Sequence, residues 1–322
     1  MNILSLLRRY GGWGVSAVAI FTLAYIIDWH DFVQALQQAN WILVLIAALF
    51  VTLAYTTFVY RWQYLISHIS PVSYPQSFRN LMIGHMFNMV LPLRAGDLYR
   101  INFIRKLPGW NGGRAVATLL FERIADIATL SLVGLVLIAQ IDLPKEMTVT
   151  LGILMALIFI FAAMTIVLGR FKRLVRYWAY RIGSWFSPKL ARMLYRQTKH
   201  YIEASAIFYR ANHFEGGLFF KTALISACAW SLNIIGIYFC LMAFNLIPTV
   251  LPALSVTVLT NFGLAIPSSP GAIGVFHGLA IFALSPWQVE LNLAIAISII
   301  LHAISLLPLV LMGLGATLIK QK

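Results

Sequence analysis

Between Trp41 and Tyr60 the chain runs for 20 residues without a charged side chain. A helix of about 20 apolar residues is what the ~30 Å hydrocarbon core of a bilayer requires. Comparable runs recur at 11–27, 114–140, 148–169, 218–244 and 288–316. Charged residues make up only 11% of the 322 positions, against about 25% in a soluble domain. In lipid every backbone polar group must be satisfied within the protein, and 20-residue runs do that as helices. The expected fold is an all-α integral membrane protein with about six transmembrane helices, residues 1–322 forming one polytopic membrane domain. Arg8 and Arg9 precede the first run as in a signal peptide, but no small-x-small cleavage site follows, so that run is expected to be a retained span.

The net charge of +14 raises nucleic acid as a partner, but the placement of the charges argues against it. Arg61, Arg79, Arg94, Arg100, Arg105, Lys106 and Arg114 follow the second run, and eleven Lys and Arg lie between Arg170 and Lys221. Acidic connections alternate with them: Asp28 and Asp31 after the first run, Asp142 and Glu146 after the third. This is the positive-inside pattern. It predicts a multi-pass protein of the cytoplasmic membrane with both termini cytoplasmic, and favours contact with anionic headgroups. The basic segment 170–213, with Trp178, Trp185, Phe186, Leu190, Met193 and Leu194 among its charges, reads as an amphipathic surface helix or as a solvated connector. Residues 29–40 read as a short interfacial helix, with Trp29 and Trp41 suited to headgroup depth.

Two apolar segments do not fit as simple spans. One, about 79–98, contains Leu91-Pro92-Leu93-Arg94-Ala95-Gly96-Asp97. The other, about 249–285, carries no charge and is broken by Ile266-Pro-Ser-Ser-Pro-Gly-Ala-Ile-Gly274. A single crossing by either would upset the charge alternation downstream. Both are therefore expected to be re-entrant helical hairpins, entering from opposite sides. Non-helical backbone at that depth is tolerated where protein or a water-filled cavity surrounds it, as in the broken helices of secondary transporters.

Chemistry concentrates around these breaks. Glu122, Arg123 and Asp126 fall inside the third run, where each charge costs about 2.5–3.5 kcal/mol on insertion scales. Glu122 and Asp126 are four apart and share a helix face, so they repel unless a cation sits between them or one is protonated. Arg123 points elsewhere on the helix. The available partners are Arg61, Arg94, Arg100 and Asp97. A helix starting near Asp97 would use that carboxylate as its N-cap, leaving Arg94 either to fork onto a phosphate or to pair with Asp97 or Glu122. The 266–274 break offers the Ser268 and Ser269 hydroxyls, glycines that permit close backbone approach, or simply a turn. His277 and His302 read as lone histidines hydrogen-bonded in apolar surroundings. There is no Walker loop, metal-ligand cluster or Gly-x-Ser-x-Gly, and Cys228 and Cys240 lie twelve positions apart within one predicted helix. No metal, cofactor or enzymatic activity is expected.

Four blocks together resemble the lysylphosphatidylglycerol synthase transmembrane-region family, the flippase-like domain of the bacterial multiple peptide resistance factor. They are Arg61-Trp62; Asn88-x-x-Leu-Pro-x-Arg-Ala-Gly-Asp-x-x-Arg100; Glu122-Arg-x-x-Asp126; and Pro267-x-x-Pro-Gly-x-x-Gly274. The resemblance implies a protein that moves a lipid between leaflets through a central cavity ringed by re-entrant helices. The sequence departs from the family in the last block. Ala272 replaces a second glycine, and His277 stands near the position of a family glutamate. Residues 1–322 hold no segment resembling the synthase domain of the resistance factor, so aminoacylation of lipid is not expected of them.

The function expected is a lipid flippase acting on a phospholipid or polyprenyl-linked lipid. Its headgroup site would be Arg61, Asn88, Arg94, Asp97, Arg100, Glu122, Arg123, Asp126, Ser268, Ser269, Gly271, Gly274 and His277. The alternative is a non-transporting partner of a lipid- or glycan-modifying membrane enzyme, docked through 170–213. Expected partners are membrane lipids with anionic headgroups and no nucleic acid; self-association is left open.

Overall fold

The computed structural model describes residues 28–319 except 69, 91–94, 142–143, 146, 150, 154, 157–159, 161–170, 197, 200–201, 203–216, 247–248 and 264–269. Among these the chain is helical, without strands. The expected span 11–27 lies outside the described residues, and 148–169 falls largely outside them.

Polar side chains start the helices where the apolar runs begin. Asp28 accepts from the amides of His30 and Asp31 and opens α1, Trp29–Gln38. Asn40 accepts from Ile42 and Leu43 and opens α2, Trp41–Ser67. Each satisfies amides that a helix start leaves unpaired. Next come α3, Tyr74–Val90, and α4, Ala95–Ile104, which flank the Leu91–Arg94 break. Asn111 caps α5, Gly112–Gln140. Then follow α6, Lys172–Phe186, and α7, Leu218–Ala243. The second broken segment is α8, Leu251–Gly263, a Pro270–Ala272 turn, and α9, Val275–Leu284. The carboxylate of Glu290 caps α10, Leu291–Thr317, by accepting from Asn292 and Leu293 at 3.0 Å each.

The helices α2, α7 and α10 are long and apolar enough to cross a membrane. Their direction follows from the bonds at one end. Asn40 donates its amide to the carbonyl of Ala243 at 2.8 Å, joining the start of α2 to the end of α7. The Asp28 amide donates to Asn292 Oδ1 at 3.1 Å, which brings the start of α10 to the same end. So α2 and α10 run one way and α7 the other. A stripe of Ile42, Leu45, Leu49 and Leu53 is exposed along one face of α2, and Leu307, Leu311 and Leu314 along α10. Exposed apolar area of this extent fits lipid rather than water.

Small residues set the closest crossings, as expected where packing rather than hydrophobicity holds helices together. A Cβ on Gly236 of α7 would stand 2.8 Å from Val51 Cγ2 and 3.0 Å from the Ala47 carbonyl of α2. Gly236→Leu should therefore pry α2 from α7 and lower the thermal midpoint of the detergent-solubilised protein, while Gly152→Leu, with nothing within 4 Å of its Cβ, should not.

Both interrupted segments are antiparallel hairpins. In α3–α4, Gly84 lies against Gly96, and Asn80 lies beside Tyr99. In α8–α9, the Ser255 hydroxyl donates to the Ala283 carbonyl at 2.9 Å, and Gly263 faces Leu279. The α3–α4 hairpin leaves from and returns to the Ser67/Gly112 end of the bundle, the α8–α9 hairpin the Ala243/Leu291 end. The helix α3 packs against the Pro270–Ala272 turn of the second hairpin.

The basic segment is helical at α6 and again at 188–196, folded back where Gly183 meets Ala191. Leu174, Trp178, Ile182 and Trp185 are exposed along one side of α6. The expected helix at 29–40 is α1, with both flanking tryptophans about half exposed.

Candidate functional site

The buried core has two apolar clusters. One holds Ala39, Val44, Leu137 and Ala243; the other holds Leu65, Trp110, Leu218 and Ala316. At the seam between them sits a network of charges. Glu122 lies ten residues into α5, ~15 Å along the helix at 1.5 Å per residue, too deep for its carboxylate to reach water at the helix start.

Arg61 supplies the cation that the two carboxylates on α5 require. Its guanidinium ion-pairs with Asp126 through Nη1 and bonds Asp126 Oδ2 through Nη2 at 3.2 Å. The same Nη2 lies 3.4 Å from Glu122 Oε1. Two residues of α7 complete the shell. Ser226 Oγ accepts from Arg61 at 2.8 Å, and Trp230 Nε1 donates to Asp126 Oδ1 at 3.0 Å. Arg100 of α4 holds the other side of Glu122, with Nη2–Oε2 at 2.5 Å and Nη1–Oε1 at 3.4 Å. Aromatic faces cover both guanidiniums: Phe58 is 4.9 Å from Arg61 and Trp62 is 5.0 Å from Arg100. Such contacts stabilise a cation whose water has been removed. Arg61, Arg100, Glu122 and Asp126 are all buried, as charges in a low-dielectric interior must be when paired.

The network extends to the tip of the first hairpin. Asn88 of α3 donates to Asp97 Oδ1 at 3.0 Å and accepts the Asp97 amide at 3.1 Å. This two-bond clasp holds α3 to α4. It also revises the expected cap: Asp97 is the third residue of α4, and the side chain of Asn88, from the other limb, takes up the free amide. Asp97 then lies 3.8 Å from Arg100 and 3.7 Å from Arg123, which is where Arg123 points. Among the described residues, three guanidiniums of the network thus meet three carboxylates. Its outer pair differs from the rest. The side chains of Asp97 and Arg123 are 24% and 31% exposed and make the loose 3.7 Å contact, while those of the inner four are at most 12% exposed.

The second cluster lies on the other hairpin. Gly271 and Gly274 adopt φ of +71° and +91°, and Ala272 between them +52°. A Cβ on Gly271 would meet nothing closer than 3.4 Å, so this glycine serves backbone conformation rather than the close approach expected of it. The histidines are not lone. His277 Nε2 and His302 Nδ1 are 3.3 Å apart, and His277 Nδ1 lies 3.2 Å from Ser298 Oγ. Arg94, Ser268 and Ser269 lie outside the described residues. A cavity of about 360 Å³ at the Asn40 end, lined by Asp31, Gln34, Asn245 and Glu290, touches no member of either cluster.

Sequence reasoning missed Ser226, Trp230 and Phe58, and named Trp62 only within the Arg61-Trp62 block, without its place over Arg100. Ser226 and Trp230 are four apart on α7 and so share a face. A polar pair at helical spacing in an apolar span was the available signal.

A family model described as the lysylphosphatidylglycerol synthase TM region matches residues 11–313. The comparisons with curated proteins and with solved structures returned no match.

Proposed function

Because the chain belongs to the lysylphosphatidylglycerol synthase transmembrane-region family, we propose that it moves a phospholipid or polyprenyl-linked lipid between leaflets of a bacterial cytoplasmic membrane. In this reading both termini are cytoplasmic, as the charge asymmetry favours, and the two hairpins are re-entrant. The observation that carries it is the unequal sealing of the charge network. The inner pairs, Arg61–Asp126 and Arg100–Glu122, act as scaffold. The outer pair, Asp97–Arg123, is partly open and loosely held. A phosphate replaces Asp97 on the Arg123 fork, since guanidinium binds phosphate in bidentate geometry. The displaced Asp97 keeps Asn88 and Arg100 as partners. The acyl chains stay in lipid while the headgroup passes.

Purified protein reconstituted with a fluorescent anionic phospholipid is expected to exchange leaflets faster than empty liposomes. Arg123→Gln should lower the rate at least tenfold, Arg123→Lys less, and neither should alter the unfolding midpoint by more than a few degrees. Exchange no faster than in empty liposomes, across several headgroups, would overturn the reading.

The exposed apolar face of α6 favours a second reading, a non-transporting partner that docks a lipid-modifying enzyme. Trp178→Glu with Trp185→Glu would then abolish cellular function while Arg123→Gln spares it; the reverse pattern eliminates docking.

A further inference from the structure

The basic segment ahead of α7 folds into a pair of helices whose two sides differ. In α6 the residues Leu174, Trp178, Arg181, Ile182 and Trp185 follow the i, i+4, i+7, i+8, i+11 spacing of one helix face. All five are exposed, Trp185 at 68% and Trp178 at 47%. Ser187 then turns the chain, and its hydroxyl oxygen accepts the Leu190 amide at 3.1 Å, which starts the helix 188–196. Gly183 lies nine positions from Leu174, about two and a half turns at 3.6 residues per turn, and so on the opposite side of α6. That side is where the second helix packs: a Cβ on Gly183 would stand 2.6 Å from Ala191 Cα, and Ala191 is buried. The second helix thus covers the back of α6 and leaves its aromatic front bare.

Charge separates this front from an ordinary apolar patch. From 147 to 202 the sequence holds nine Lys and Arg and no Asp or Glu. Arg181 stands within the front itself, on the face shared by Trp178 and Trp185. Against a dry protein groove its guanidinium would lose water and need a carboxylate in return. At the boundary between headgroups and acyl chains it forks onto a phosphate instead, while the tryptophans sit at headgroup depth. The segment is also held beside a bilayer, because it leads into α7, whose Leu218 start lies at the Ser67 end of the bundle.

We propose that α6 and the helix 188–196 form a plate that lies on an anionic lipid surface, with the aromatic front in the interface and Arg181 on a headgroup phosphate. Arg173, Arg192 and Arg196, all exposed, add attraction to the charge of the leaflet. The contact therefore requires anionic lipid, and a zwitterionic surface does not hold it. This surface is separate from the Asp97–Arg123 pair, and no movement of lipid is asked of it. An enzyme docked on the same front would displace the lipid, and the two occupants predict different results.

Hydrogen exchange of the full-length protein in nanodiscs reads the contact. Amides of 174–186 are expected to exchange at least tenfold more slowly in an equal mixture of phosphatidylcholine and phosphatidylglycerol than in phosphatidylcholine alone. The difference should shrink severalfold in 1 M salt, where the Debye length falls to about 3 Å. Arg173→Gln with Arg181→Gln should remove most of the dependence on phosphatidylglycerol, and Trp178→Ser with Trp185→Ser all of it. Slow exchange in both lipids alike would mean that something other than anionic lipid covers the front, and would overturn the proposal. Fast exchange in both lipids would overturn it as well. The wild-type comparison needs no variant, so a substitution that fails to fold leaves the test standing. Leaflet exchange is not read in this measurement, so a protein that moves no lipid leaves the result intact.

Discussion

Arg61→Ala is expected to lower the stability of the protein by about 3–5 kcal/mol, the range found when one partner of a buried ion pair is removed. Among the described residues, the substitution leaves Asp126 with the Trp230 N–H alone and strips Glu122 of one of its two paired guanidiniums. Both carboxylates are buried, so water compensates little of the loss. Arg61→Lys keeps the charge but cannot present a fork to Asp126, Glu122 and Ser226 together, and should recover part of the loss. The informative control removes the charge pair whole. Arg61→Met combined with Asp126→Leu removes one charge of each sign and so leaves the net charge unchanged, and replacing a buried pair by apolar residues is often near neutral in stability. The double variant is therefore expected to be more stable than Arg61→Ala. Denaturant unfolding in mild detergent measures all three. An Arg61→Ala protein within about 1 kcal/mol of wild type, the scale of a surface salt bridge, would remove the argument that Arg61 is structural.

Gly96→Ala is expected to open the first hairpin. A Cβ at Gly96 would stand 1.7 Å from the Gly84 carbonyl oxygen. Backbone lies on both sides of that contact, so no side chain can swing away. The limbs must separate, and the Asn88–Asp97 clasp, built on bonds of 3.0 and 3.1 Å, breaks with them. Overpacking commonly costs 1–3 kcal/mol, and a backbone clash puts this case at or above about 3 kcal/mol. On the lipid-movement reading, exchange should fall with it, because the clasped α3–α4 hairpin that frames the Arg123 site is lost. Gly278→Ala is the matching control. Its Cβ meets nothing within 4 Å, and exchanging a helical glycine for alanine stabilises by roughly 0.5–1 kcal/mol. Opposite signs for two glycine-to-alanine changes are the expected outcome; equal signs would mean that α3 and α4 are not in contact at Gly84.

Much of this architecture was legible because apolar length is a one-dimensional property. The run from Trp41 became α2, and the runs near 218 and 291 became α7 and α10, each with boundaries marked by Asn40, Gly217 or Glu290. The interruptions between Val90 and Ala95 and between Gly263 and Val275 were equally plain, since proline and glycine clustered with polar residues end a helix where a single proline such as Pro308 does not. The spacing of Glu122 and Asp126 called for a cation between them or a proton on one. It did not say which of the nearby arginines would supply it. Arg61 lies 65 positions from Asp126, and Ser226 and Trp230 lie further along the chain; only the packing of α2 and α7 on α5 brings them together.

The same division holds for the second hairpin. His277 and His302 look solitary in sequence because 25 positions separate them, and a pairing across two helices leaves no local pattern. Sequence alone determined that this chain is a helical membrane protein with two interrupted segments and charges it cannot leave unpaired, because hydrophobic length, helix breakers and the cost of a bare charge in lipid are properties of single residues and their neighbours. Tertiary structure alone decided which charges seal one another, that Asp97 and Arg123 are left partly open, and that two histidines share one hydrogen-bond chain. Those outcomes depend on distances between helices, and these are set by small residues such as Gly96 and Gly236 at the crossings.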